Sequence, residues 1–208
     1  MPDLRAVHER GRAELTPGPD PVATVAAEQT QSVDEPLTLA EASVLALLAE
    51  GPAHGWAIVG ELSATGAIGR IWSLSRALTY RTIDLLVGRG LVARAGKEPG
   101  RGQVRQLLDV SAAGRRALAV WLDQPVDHLR DVRTELLVKL TLRRRAGLDL
   151  VSLVEDQQLR FEPLYDRFDP ASDDLVERWR AESSAAVRHF LAATLAAERT
   201  GPAASPAE

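Results

Sequence analysis

Between Arg70 and Arg116 the sequence places nine arginines and one lysine against three carboxylates, Asp84, Glu98 and Asp109, for a net charge of +7. The guanidinium group is a rigid planar fork of donors that fits a phosphate, or the O6 and N7 edge of guanine, through two parallel hydrogen bonds. The flanking chain has the opposite sign: residues 1–36 hold 3 basic and 7 acidic side chains, residues 125–208 hold 12 and 15, and the whole chain carries −4. A chain that is mildly acidic overall yet basic in one segment suits a local phosphate-binding surface better than a nonspecific polyanion coat.

Two clusters within that segment have the residue types such a surface needs. Ser75, Arg76, Thr79, Tyr80 and Arg81 form one run. On a helix Arg76 and Tyr80 share a face, with Thr79 one residue off. Arg76 and Arg81 are the candidates for guanine edges, and the Ser75 and Thr79 hydroxyls can donate to phosphates or bases. Tyr80 and Arg81 have structural alternatives, a ring packed against the first helix and a guanidinium that solvates the surface. The second cluster is Lys97, Arg101, Gln103 and Arg105, in a stretch that also holds Gly96, Pro99, Gly100 and Gly102. It would meet phosphates or an adjacent minor groove, or be the solvated tip of a hairpin.

Other chemistries find little to work with. There is no cysteine, so no disulfide, thiolate metal site or cysteine nucleophile. His8, His54, His128 and His189 lie far apart, without the i, i+4 spacing of a helical metal site. Ser183 and Ser184 lack a glycine elbow, and the lysine between Gly96 and Gly102 leads into a strand, whereas a phosphate-binding loop opens a helix. These patterns predict a protein without catalytic activity, cofactor or metal. No run of eighteen apolar residues and no apolar segment behind Met1–Arg12 argue for a cytoplasmic chain.

Positioning the basic clusters requires a framework, and the hydrophobic periodicity predicts one. Residues 1–36, with Pro17, Pro19 and Pro21, read as a disordered arm, and residues 200–208 as a disordered tail. Thr38 and Glu41 form a capping box for a first helix bearing Leu39, Val44, Leu45, Leu47 and Leu48. A second helix is expected from about Gly55 to Ala64, offering Trp56, Ile58, Val59 and Leu62 inward, and a third from Ser75 to Gly88. Residues 91–95 and 104–110 read as two strands of a hairpin, and Ser111 as the cap of a helix ending near Leu122. Helix, helix, helix, strand, strand, helix is the order of a winged helix-turn-helix, assigned to residues 37–124. Beyond Pro125 the pattern is helical, and a stripe of Val176, Trp179, Val187, Phe190, Leu191 and Leu195 calls for a partner. The fold class expected is mainly α with a small β-hairpin: a winged helix-turn-helix, then a helical, coiled-coil-like dimerisation domain over residues 125–199.

Particular residues sharpen this. His54-Gly55-Trp56-Ala57-Ile58, Trp72 to Arg81, and Leu85 to Val92 resemble the winged-helix domain of the PadR family of transcription regulators. Ser111-Ala112-Ala113-Gly114-Arg115 resembles the Thr-x-x-Gly-Arg step after that family's wing. Asp131 to Leu140 is similar to the opening of its helical C-terminal domain, and Trp179-Arg180-Ala181-Glu182 with Phe190-Leu191 to its last helix. Leu108 stands where the family often has Tyr, and Ala77 where it commonly has Gly. The resemblance implies a dimeric repressor of an inverted-repeat DNA operator, with Tyr80 at the position whose hydroxyl reaches the DNA backbone. It also implies a planar aromatic effector, for which Trp179 is the candidate wall. A second class is an adaptor that uses the winged helix and acidic tails for protein contacts, against which the concentration of arginine over Arg70–Arg116 weighs.

Overall fold

The computed structural model describes residues 35–99 and 104–200, with the side chains at 97–99, 104 and 105 excepted. The expected arm before residue 35, the tail after Thr200, Arg101 and Gln103, and the side chains of Lys97 and Arg105, lie outside the described residues.

Helix α1 (Leu39–Ala49) starts as its sequence dictates. The Thr38 hydroxyl accepts from the Glu41 amide at 3.3 Å, and the Glu41 carboxylate accepts from the Thr38 amide at 2.8 Å. The remainder of α1 is buried continuously from Glu41 to Leu48, a wider surface than the one apolar side its sequence marks. It is the central rod of a first core made with Ile58, Leu62, Ile83, Leu86, Leu91, Val110, Leu118 and Trp121. Glu41 tolerates this because its other carboxylate oxygen accepts from Arg89 Nη1 at 2.5 Å, so the buried charge is both paired and hydrogen-bonded.

A two-residue strand β1 (Ala53–His54) precedes α2 (Gly55–Leu62), and α3 (Arg76–Gly88) follows a turn. Strands β2 (Val92–Pro99) and β3 (Val104–Val110) form an antiparallel hairpin with a register irregularity between Arg94 and Gly96. β1 pairs with β3, Ala53 opposite Leu108 and His54 opposite Leu107, giving a three-stranded sheet of order β1-β3-β2. The third strand was not expected, because two residues carry no periodicity. This is a winged helix-turn-helix on a mainly helical chain, with the hairpin as its wing.

Helix α4 (Ala112–Asp123) closes the lobe. The Ser111 hydroxyl accepts from the Gly114 amide at 3.0 Å and donates to the Gly90 carbonyl at 2.8 Å, tying the helix start to the end of α3. Gly114 is fixed by that approach, since a Cβ there would lie 2.2 Å from the Leu91 carbonyl oxygen.

A 3-10 turn (Leu129–Arg133) and helices α5 (Glu135–Arg145), α6 (Val151–Tyr165) and α7 (Leu175–Thr200) follow. Their core gathers Val132, Leu136, Leu140, Leu153, Val154, Phe161, Leu191 and Leu195. Helix α5 serves both cores, sending Val138 and Leu142 to the first and Leu136 and Leu140 to the second. Its polar residues join the two. Lys139 is 1% exposed, donates to the Gln124 carbonyl at 2.7 Å, pairs with Glu135 at 2.8 Å, and lies 4.5 Å from the Trp121 ring centroid. Arg143 binds the Asp149 and Leu122 carbonyls and the Asp123 carboxylate, and Arg145 reaches Glu50 and Glu61, each at 2.7 Å.

The α7 stripe splits. Leu191 and Leu195 are buried in the same chain with α6, whereas Val176 and Trp179 are exposed. Trp56, expected to point inward, is also exposed: α2 has only two turns, and the sites facing α1 and α3 go to Ile58 and Leu62.

Candidate nucleic-acid interface

Helix α3 supplies the exposed face. Ser75 is its N-cap, accepting from the Leu78 amide at 3.3 Å, and the outward positions are Arg76, Leu78, Tyr80, Arg81, Asp84 and Leu85. Arg76 and Tyr80, one turn apart, lie on one face with the guanidinium carbon 5.7 Å from the ring centroid. Thr79 is different. It is fully buried and its hydroxyl donates to the Ser75 carbonyl at 3.0 Å, so the step of one residue that seemed a small offset rotates it into the core. Thr79 is therefore corrected from the exposed set.

Tyr80 is held from beneath. Its ring rests on Gly55 at the start of α2, where a Cβ would come within 2.7 Å of Cε1. The packing partner is α2 rather than α1, and the ring stays partly exposed. Together with His54, Trp56, Asp84, Arg94 and Gln106 it lines a cavity of about 400 Å³ between α2, α3 and the sheet. Gln106 donates to the Gly96 carbonyl at 2.7 Å, and its own carbonyl lies 3.1 Å from His54 Nδ1, which links the base of the wing to the start of α2. Arg94 and Gln106 were missed from the sequence as neighbours of α3; the alternation of β2 and β3 was the signal that could have brought them in.

Not all of the basic segment faces outward. Arg89 is committed to its buried pair with Glu41, and Arg115 pairs with Asp109 at 3.3 Å. Arg70, Arg76, Arg81, Arg94 and Arg116 are exposed. On the wing, Lys97 stands opposite Gln106 and Glu98 opposite Arg105 in the strand register. In the C-terminal helices, Trp179 borders an open cleft of about 830 Å³ between the 3-10 turn, the end of α6 and the start of α7.

Residues 44–120 match the family model of the transcriptional regulator PadR-like family. The matched segment runs from within α1 to within α4, so it holds α3, the sheet and the wing. The family resemblance carried by residues 54–58, 72–81 and 111–115 is thus shown over this part of the chain. Among solved structures, the crystal structure of Bacillus subtilis PadR in complex with operator DNA is similar at 19% identity and a TM-score of 0.42, covering 78% of this chain and 98% of that one. No curated protein matches the chain. Among the described residues, no helix is long and apolar enough to cross a membrane and no group of three or more His, Asp or Glu could hold a metal ion.

Proposed function

We propose that the protein is a cytoplasmic, non-enzymatic transcriptional regulator that reads DNA with residues 37–124 and pairs with a second copy through residues 125–199. The single observation that carries this reading is the outward face of α3, with Arg76 stacked on Tyr80 and Arg81 beside it, in a segment matching the PadR-like family. A helix of this kind enters the major groove with its N-terminal and outward residues, where an arginine pairs with guanine. Ser75 and Tyr80 would contact the backbone, and Lys97, Arg101, Gln103 and Arg105 on the wing would meet flanking phosphates. Thr79 is left out because it is buried.

A symmetric dimer would set two reading helices about 34–36 Å apart, one turn of DNA, on an inverted-repeat operator. Exposed Leu175 and Val176 at the start of α7 support a partner there. Repression follows from occupying a promoter, with release by a small aromatic effector in the cleft beside Trp179.

The test is fluorescence anisotropy of the protein on a labelled fragment of its own upstream region at several salt concentrations. Specific binding that weakens with salt and is largely lost in an Arg76→Ala, Arg81→Ala variant is expected. Absence of DNA binding at low salt would turn attention to the adaptor reading, which exposed Leu78 and Leu85 on α3 favour.

A further inference from the structure

Most arginines of the C-terminal helices are paired. Arg143, Arg144, Arg145, Arg160, Arg188 and Arg199 each have a carboxylate partner. Of the four that line the cleft, only Arg130 is paired. Among the described residues, Arg130 pairs with Asp131 at 3.7 Å, much as Arg188 does with Asp166 at 3.8 Å, whereas Arg133, Arg167 and Arg180, and Arg178 outside the cleft, have no carboxylate within ion-pair distance. No Asp or Glu lines the cleft, although residues 125–208 contain more acidic than basic side chains. Four arginines thus line one cleft with no carboxylate among its described lining residues.

The remaining wall is apolar and aromatic. Phe168 lies near two guanidinium groups, the Arg167 and Arg180 carbons being 6.0 and 5.9 Å from its ring centroid. Trp179 stands 72% exposed at the rim, and Val132, Leu164 and Val187 form the floor. At about 830 Å³ the volume is in the range of small-molecule sites.

We propose that this cleft binds a ligand of the nucleotide class: a planar ring joined to phosphate groups carrying two or more negative charges. The inference rests on the reading above that the cleft takes an effector, and it names that effector's chemistry. Guanidinium forks pair bidentately with phosphate oxygens, and several of them answer several charges, where a single carboxylate would use only part of the field. A ring stacks on an exposed indole irrespective of the base, because every base has a π-face. The phosphates therefore go to Arg133, Arg167 and Arg180, and the ring to Trp179.

The experiment is calorimetric titration of the full chain, with tryptophan fluorescence in parallel, using ATP, GTP, CTP, UTP and flavin mononucleotide as probes. At least one is expected to bind at about 100 μM or tighter, with its nucleoside and inorganic tripolyphosphate each weaker by about tenfold or more. The fluorescence change should vanish in Trp179→Phe. Arg133→Gln with Arg180→Gln should weaken binding about tenfold or more at an unchanged melting temperature, whereas exposed Arg178→Gln should leave it unchanged. Failure of all five probes at about 1 mM, or binding indifferent to the double variant, overturns the proposal. Sodium benzoate is titrated alongside: if it binds and no nucleotide does, this chemistry is wrong while the effector reading stands. If no probe binds and Trp179→Ala converts a dimer to a monomer by light scattering, the cleft is the seat of a second copy and both readings of it fail.

Discussion

Helices α1 and α3 lie against each other in the same lobe and have similar lengths, 11 and 13 residues, yet they are used in opposite ways. α1 is buried from Glu41 to Leu48 and takes even a glutamate and a serine into the core. α3 buries only Thr79, Thr82, Ile83 and Leu86 and leaves Leu78 and Leu85 in solvent. A residue's polarity thus decides less than its helix's place. The central helix must satisfy every polar group it carries, and does so through Thr38, Arg89 and the Leu39 carbonyl that accepts from Ser43 at 2.7 Å. The peripheral helix can leave its outer face unpaired, because water satisfies whatever is left there.

Variants can break this contrast. The largest effect is expected at the buried end: Arg89→Ala leaves the Glu41 charge without its partner and should cost about 3–5 kcal/mol, read by urea denaturation. A loss below about 1 kcal/mol would mean that the central helix does not depend on the pair. Next is Gly114→Ala, whose methyl would meet the Leu91 carbonyl and push α4 from the end of α3, destabilising by about 1–3 kcal/mol.

On the exposed helix the sign of the comparison reverses. Arg76→Ala should leave stability within about 0.5 kcal/mol of the parent. The same variant should lower operator affinity by about 1–3 kcal/mol, measured by anisotropy. Equal loss on operator and random DNA would make Arg76 a phosphate contact instead of a base reader. Tyr80→Phe sharpens the point further. If the ring's task is to support Arg76 from its seat on Gly55, the variant keeps most of the affinity; a hydroxyl that holds a phosphate would be missed.

The smallest effect concerns acid. Asp149 accepts from the Ser152 amide at 2.9 Å and the Val151 amide at 3.0 Å at the start of α6, and these bonds hold its carboxyl below the ordinary value. A carboxyl whose value is lowered on folding stabilises above the unfolded value of about 3.9 and loses that contribution as pH falls through the lowered one. Asp149→Asn should therefore flatten the acid limb of the melting temperature against pH, with little change near neutrality.

What was legible in the sequence was short in range. The Thr38–Glu41 box and the Ser111 cap each join groups three residues apart, and the alternation of the wing strands is equally local. The helix order and the basic segment follow from patterns of this kind, as does the place of Arg76 and Tyr80 one turn apart.

Tertiary structure decided the rest. Arg89 and Glu41 are 48 residues apart, and nothing local marks one arginine of ten basic residues as buried. Thr79 lies one position from an exposed face, and only the packing of α3 on α1 and α2 turns it inward while Trp56 is left out. Leu191 and Leu195 of the α7 stripe are covered within the same chain by α6, and only the folded chain brings Arg130, Arg133, Arg167 and Arg180 to one cleft. Periodicity reports which side of a helix is apolar. Which neighbour covers it, and which charges meet, depends on contacts between residues distant in sequence, whose partners the local pattern does not encode.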